Sequence, residues 1–202
     1  MPSGSPTVPT AGPDTLIASL WPSKGGSAAL LRAATLVFLG AALLTLSAKI
    51  QVPFYPVPMT LQTLVVLVIG AAYGARLGAA TVGLYLLEGF AGLPVFAGAA
   101  AGPAYFAGPT GGFLVGFLLA AAGAGFLAER GFGRSVPGVV ALMALGHALI
   151  FAGGLLWLSV LFGPAKAWAV GAAPFALATL VKTGLAAALL QAAWTIVPTR
   201  ST

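Results

Sequence analysis

The sequence predicts an all-α integral membrane protein, a bundle of six transmembrane helices with both termini cytoplasmic. Three observations carry that expectation. The 202 residues include only nine basic and three acidic side chains, 6% charged, while 59% are apolar; a soluble domain carries roughly 25% charged residues. The few charges stand between apolar stretches long enough to cross a bilayer. The basic residues are also shared unequally between alternate loops.

The elements follow in order. Residues 1–27 hold five of the fifteen prolines among Ser, Thr and Gly, so no helix pattern survives there. They read as a flexible cytoplasmic tail, with residues 16–21 suited to the membrane surface, before a six-helix membrane domain over 28–202. A spanning helix needs about 20 apolar residues, with a range of roughly 17–25. The first span is expected over 28–47, with Arg32 near its start and able to snorkel. The connector KIQVPFYPVP follows, because Pro53, Pro56 and Pro58 stand too close together for a helix. The second span covers 59–73 and breaks at Gly74; the third covers 77–92, with Glu88 near its far end. Residues 89–109 are uncharged and dense in Gly and Pro, which predicts a long apolar loop folded against the bundle. The fourth span runs over 110–128, and Glu129, Arg130 and Arg134 form a polar turn. The fifth runs over 138–162 and ends at Gly163-Pro164. The sixth starts at Pro174, a residue favoured at helix starts, and reaches 197.

With the N-terminus cytoplasmic, the inner loops and ends hold Lys24, Arg32, Arg76, Arg130, Arg134 and Arg200, and the outer loops only Lys49 and Lys166. That imbalance follows the positive-inside rule. The net charge of +6 therefore reports topology and gives no reason to expect nucleic acid. Both unusual loops, the Pro-rich connector and 89–109, then fall on the outer face as a lid over a cavity.

Lys182 fits no topological role. It is the only charge between residues 167 and 199, about eight residues inside the sixth span, or roughly 12 Å at the helical rise. A cation at that depth costs on the order of 2.5–3.5 kcal/mol and must find a partner or a wet cavity. One reading is a charge partner for an anionic ligand entering from outside, with Thr179 and Thr183 completing a polar patch. The other is a lysine satisfied by backbone carbonyls or by Glu88. At the start of span two, Thr60, Gln62 and Thr63 supply donors and acceptors suited to an amide or urea. Their local alternative is N-capping by Thr60 and a bond from Thr63 back to its own helix. Thr110 opens span four as a plausible N-cap, with Gly111 and Gly112 permitting close approach of a ligand, a loop or another helix. Phe54, Tyr55, Phe96, Tyr105 and Phe106 can wall an apolar pocket or form an interfacial belt. The Tyr85 hydroxyl, inside span three, needs a partner, and a single buried His147 reads as bonded to a carbonyl.

Absences narrow the function. Without Cys there are no disulfides or thiolate metal sites, and one His cannot build a multi-His centre. Neither a P-loop nor a GxSxG elbow occurs, and Asp14, Glu88 and Glu129 form no paired-carboxylate site. The expectation is a protein that is not an enzyme and holds no metal or cofactor.

The segments AKIQVPFYPVPMTLQTL, GARLGAATVGLYLLEGFAGLPVFAG and GPTGGFLVGF closely resemble the BioY family, the biotin-binding substrate-specificity (S) components of energy-coupling-factor vitamin transporters. The likeness is dense over residues 48–117 and looser through the last two spans. It implies six membrane helices, cytoplasmic termini and an outer pocket closed by the loops after helices one and three. It implies biotin as ligand, a carboxylate for a cation to meet, a ureido ring needing donors and acceptors, and apolar walls for the rest. The substrate-binding residues expected on this basis are Lys182, Gln62, Tyr85, Thr60, Thr179, Thr110, Phe96 and Tyr105. The family usually carries Asp-x-x-Lys in its last helix, and Thr179 occupies the Asp position here.

The same resemblance implies partners: a transmembrane coupling (T) protein and a pair of ATP-binding-cassette ATPases, which consume the ATP. Ala29, Ala33 and Ala41 on the first helix are the expected docking face, with ordinary intrachain packing as the alternative. The implied location is the inner membrane of a bacterial cell, in contact with lipid. Two rival readings stand beside this one: a biotin transporter that works without a coupling module, and an intramembrane enzyme using His147 and Tyr85.

Overall fold

The structure is a computed structural model that describes residues 15–22 and 25–197. The cations Lys24 and Arg200, and with them the expected cytoplasmic termini and most of the expected tail, lie outside the described residues.

The chain folds as helices α1 (Leu16–Leu20), α2 (Gly26–Lys49), α3 (Gln62–Tyr73), α4 (Ala75–Phe90), α5 (Pro103–Ala107), α6 (Gly111–Ala128), α7 (Val136–Phe162), α8 (Pro164–Gly171) and α9 (Ala176–Thr195). Two strands, β1 (Gln51–Val52) and β2 (Met59–Thr60), pair antiparallel with Gln51 opposite Thr60. The Pro-rich connector is thus a small hairpin, and the chain is not purely α.

Helices α3 and α6 occupy the centre. Helix α6 packs on α3, α4 and α7, while α2 lies on α4 and α9 on α7 and α3. Small residues make these approaches possible. A Cβ on Gly70 would press on the Ala121 carbonyl, and one on Gly78 would meet the Gly70 Cα at 3.0 Å. Along the α6–α7 seam, a side chain on Gly112 would overlap the Gly153 carbonyl, and one on Gly153 would reach the Gly112 carbonyl. Gly112 and Gly116 therefore serve helix packing, and Gly111 lies under the Phe106 carbonyl. Gly74 turns the chain between α3 and α4 at φ +88°. There the Glu129 Oε1 accepts from the Ala75 N–H at 2.8 Å, placing a carboxylate on a helix N-terminus.

Among the described residues, four stretches are long and apolar enough to cross a membrane: α2, α6, α7, and α8 with α9 over Pro164–Thr195. Large apolar side chains such as Leu31, Phe38 and Leu46 on α2, and Leu177, Leu180 and Val181 on α9, point outward. Exposure on this scale requires lipid. The expected second and third spans differ from this pattern. Helix α3 has 12 residues and α4 has 16, about 18 and 24 Å at the helical rise. Both fall short of the roughly 17 residues a crossing needs.

Other boundaries differ for local reasons. Helix α2 starts at Gly26, inside the expected tail. Residues 16–20 form α1, whose Leu16 is buried and whose Ile17 carbonyl accepts from Arg32 Nη2 at 3.0 Å. Arg32 is therefore tied to α1. Gly102-Pro103 lies within the expected loop, and Gly163-Pro164 ends α7 as expected. Each pair also starts a further helix, α5 and α8, with proline in the first turn where its missing N–H costs nothing. Pro174 lies in a 3-10 turn, Ala173–Phe175, and α9 begins two residues later.

Candidate ligand-binding site

The hairpin and the loop between α4 and α6 cover the same end of the bundle. Lys49, at the last turn of α2, clasps that loop. Its Nζ donates to the carbonyls of Pro94, Phe96 and Gly98 at 2.6, 2.7 and 2.6 Å. All three ammonium hydrogens are thereby used. Sequence placement suggested only a topological marker there.

Beneath the loop, Phe96 is 1% exposed and anchors an aromatic cluster. Its ring stacks on Tyr105 at 4.9 Å and meets the edges of Tyr85 and Phe106 at 5.4 and 5.5 Å. Gly89 makes room for it, since a Cβ there would overlap the ring.

Between this cluster and α9 lies a pocket with the mostly apolar, concave lining usual for small-molecule sites. Lys182, Gln62, Thr60, Thr179, Thr110 and Tyr105 all line it. Tyr85 and Phe96, named from sequence beside them, do not line it; they pack behind. The walls also include Phe113, Phe117, Phe151 and Phe175, and His147 faces in from α7. These five were not named from sequence as binding residues. A signal existed: Phe113/Phe117 and His147/Phe151 are each four residues apart, one face of one helix.

Lys182 stands six residues into α9, about 9 Å by rise. Its Nζ donates to the Thr60 carbonyl and to Thr63 Oγ1, both at 2.8 Å. Neither Glu88 nor any other acid lines the pocket. The ammonium is held by neutral groups, its charge is uncompensated, and one hydrogen is left for a ligand. Thr63 is turned to Lys182 instead of its own helix.

Gln62 is satisfied within the protein. Its Nε2 donates to the Tyr85 hydroxyl at 2.6 Å, and its Oε1 accepts from the Thr60 hydroxyl at 3.1 Å. The Tyr85 hydroxyl in turn donates to the Val95 carbonyl at 3.2 Å. This chain of bonds ties α3, α4 and the covering loop together. Thr110 sits at the N-cap of α6 without capping it. Its Oγ1 is buried and makes no hydrogen bond of good geometry, although the Tyr105 hydroxyl interacts with it. Burial raises the Tyr105 phenol above its usual range, keeping it a hydroxyl.

Of the expected docking residues, Ala29 and Ala33 are partly open, whereas Ala41 is 1% exposed and belongs to the core. In this arrangement Ala41 presents nothing to a partner.

The BioY family profile matches residues 19–199. The chain belongs to the BioY family. A protein of Pyrococcus horikoshii named "Probable biotin transporter BioY" is 36% identical over 157 residues, covering 78% of this chain and 93% of the relative. "Biotin transporter BioY" of Rhizobium etli is 38% identical over 171 residues, covering 80% and 88%. "Biotin transporter BioY" of Thermotoga maritima is 38% identical over 147 residues, covering 72% and 86%. The fold matches the crystal structure at 2.1 Å of "the S-component for biotin from an ECF-type ABC transporter" with a TM-score of 0.74. That match spans 85% of this chain and 95% of the other at 22% identity, which establishes a shared fold. BioY membership makes the chain a transporter-family membrane protein rather than a member of an enzyme family.

Proposed function

We propose that this chain is the biotin-binding S component of an energy-coupling-factor transporter. Biotin is captured from the outside in the pocket between the hairpin, the covering loop and α9. The observation that carries this reading is Lys182, a deep ammonium with neutral tethers, one hydrogen free and no acid in its pocket. Such a site is completed by a ligand bringing one negative charge, as the valerate of biotin does. The phenylalanine walls suit the thiophane ring and alkyl chain.

In this reading α2, α3, α4, α6, α7 and α9 are the six membrane helices, with both termini cytoplasmic, in the inner membrane of a bacterial cell. The short α3 and α4 are accommodated because α3 is largely buried by its neighbours and does not have to match the lipid itself. Release inward depends on docking to a coupling protein driven by two ATPases. The partly open Ala29 and Ala33 belong to the docking face. The chain has no P-loop of its own, and ATP is used by the partners.

The test is a binding titration of the purified chain against biotin, thiamine and riboflavin. Saturable binding of biotin alone is expected. Binding of either other vitamin in its place, or of none, overturns the assignment.

A further inference from the structure

His147 has a half-used imidazole. It lies in the middle of α7, is 4% exposed, and lines the pocket. Its Nδ1 stands 2.9 Å from the Met143 carbonyl one turn earlier. A carbonyl oxygen only accepts, so Nδ1 carries the hydrogen and the neutral ring keeps its lone pair on Nε2. A second proton would put an imidazolium in a pocket that already holds Lys182 and has no carboxylate in its lining. Nε2 is buried and has no hydrogen-bond partner within the protein. Phe151 borders the imidazole, with ring centroids 6.3 Å apart at 26°, and Phe175 meets Phe151 at 6.4 Å; both phenylalanines line the pocket. A buried acceptor stripped of water and left unpaired is a standing cost unless a ligand meets it.

An unpaired acceptor selects by polarity. It attracts an N–H or O–H and repels a carboxylate or carbonyl oxygen. Biotin at neutral pH has only two donors, its ureido N–H groups; the carboxylate, the urea oxygen and the sulfur only accept. We infer that His147 Nε2 accepts a ureido N–H of biotin and is a specificity-determining residue of this pocket. The inference rests on the biotin reading above and deepens it. It sets the ligand's direction: the urea turns to α7, and the valerate is left to Lys182.

The experiment measures affinities of the purified full-length chain for biotin and for the two cyclic carbamates in which one ureido N–H is replaced by oxygen. These analogues keep the ring's shape and turn one donor into an acceptor. Wild-type protein is expected to bind one carbamate at least about a hundredfold more weakly than biotin. His147→Phe, which keeps a flat ring and loses the acceptor, is expected to bind biotin on the order of tenfold to a hundredfold more weakly. It is also expected to lose most of the discrimination between biotin and that carbamate. His147→Gln, with an amide oxygen in reach, should retain part of the discrimination. Equal binding of biotin and both carbamates by the wild type overturns the inference without any variant. Undiminished discrimination in His147→Phe overturns it as well, by making the role structural. Failure of the biotin reading is distinct, because the wild type then does not bind biotin at all.

Discussion

Lys182 on α9 donates to the hydroxyl of Thr63 on α3 at 2.8 Å, and the same ammonium reaches the Thr60 carbonyl at 2.8 Å. The last helix is therefore fastened to the first turn of α3 by the only cation in the pocket lining. Two neutral tethers position the charge without cancelling it. Thr179, one turn earlier in the lining, brings no acid to neutralise it.

Lys182→Met keeps the apolar stem and removes the ammonium. Losing one partner of a buried charge pair costs about 2–5 kcal/mol, so biotin affinity should fall by roughly thirtyfold to several thousandfold in a titration. Biotin methyl ester, which lacks the charge, should lose much less. Equal losses for the two ligands would mean that Lys182 supports the pocket without meeting the carboxylate. Thr63→Val removes one tether and should weaken biotin binding on the order of tenfold, since a hydrogen bond to a charged group contributes about 1.5–3 kcal/mol.

Lys49 offers a kinetic prediction. Its three bonds hold the stretch from Pro94 to Gly98 over the pocket. Lys49→Met releases those carbonyls to water and replaces no residue of the pocket lining. Biotin release should accelerate about tenfold with a smaller change in association rate, because changes at an interface are expressed mostly in dissociation. Stopped-flow displacement with excess unlabelled biotin separates the two rates. An unchanged release rate would show that the loop is held by its aromatic cluster alone.

Much of this organisation was legible in the sequence because it is local. Runs of apolar residues, the placement of charges and the Pro and Gly punctuation located all six expected segments to within a few residues. Lys182 stood out by depth alone. What was not legible depends on pairing across the chain. Nothing local says that Lys182 meets Thr63, 119 residues away, or that Lys49 faces three carbonyls of a loop. His147 was half legible: its bond to Met143 lies within one helical turn, but its idle nitrogen is visible only once α7 is set beside the pocket. Gly163-Pro164 ends α7 as its residues suggest, but that α5 and α8 start at Pro103 and Pro164 was not legible, because proline after glycine suits a loop and a helix start equally.

The α6–α7 seam makes a stability prediction with an internal control. A side chain at Gly112 would collide with the Gly153 carbonyl and the Trp157 Cβ, and backbone cannot swing aside. Gly112→Val should destabilise the protein by at least about 1–3 kcal/mol, the usual range for overpacking. Thermal unfolding in detergent should show this as a lower melting temperature. Gly83, within α4, has nothing within 4 Å of an added Cβ. Gly83→Ala should therefore be neutral or stabilise by about 0.5–1 kcal/mol through helix propensity. If both variants melt alike, close helix approach is not what Gly112 provides.

Tyr85 distinguishes structural support from ligand contact. Its hydroxyl joins the Gln62 amide to the Val95 carbonyl, and the residue is fully buried behind the pocket wall. Tyr85→Phe leaves the Gln62 Nε2 without its acceptor inside the core. An unsatisfied buried donor costs about 1–3 kcal/mol, so the unfolding midpoint should drop measurably. Biotin affinity should change by less than about tenfold, because the ligand loses no contact of its own. Gln62→Leu tests the same bond from the other end. A Tyr85→Phe, Gln62→Leu double variant should be less destabilised than the sum of the two, since each single change strands the other's partner. A large loss of affinity with an unchanged melting temperature would instead place the Tyr85 hydroxyl on the ligand.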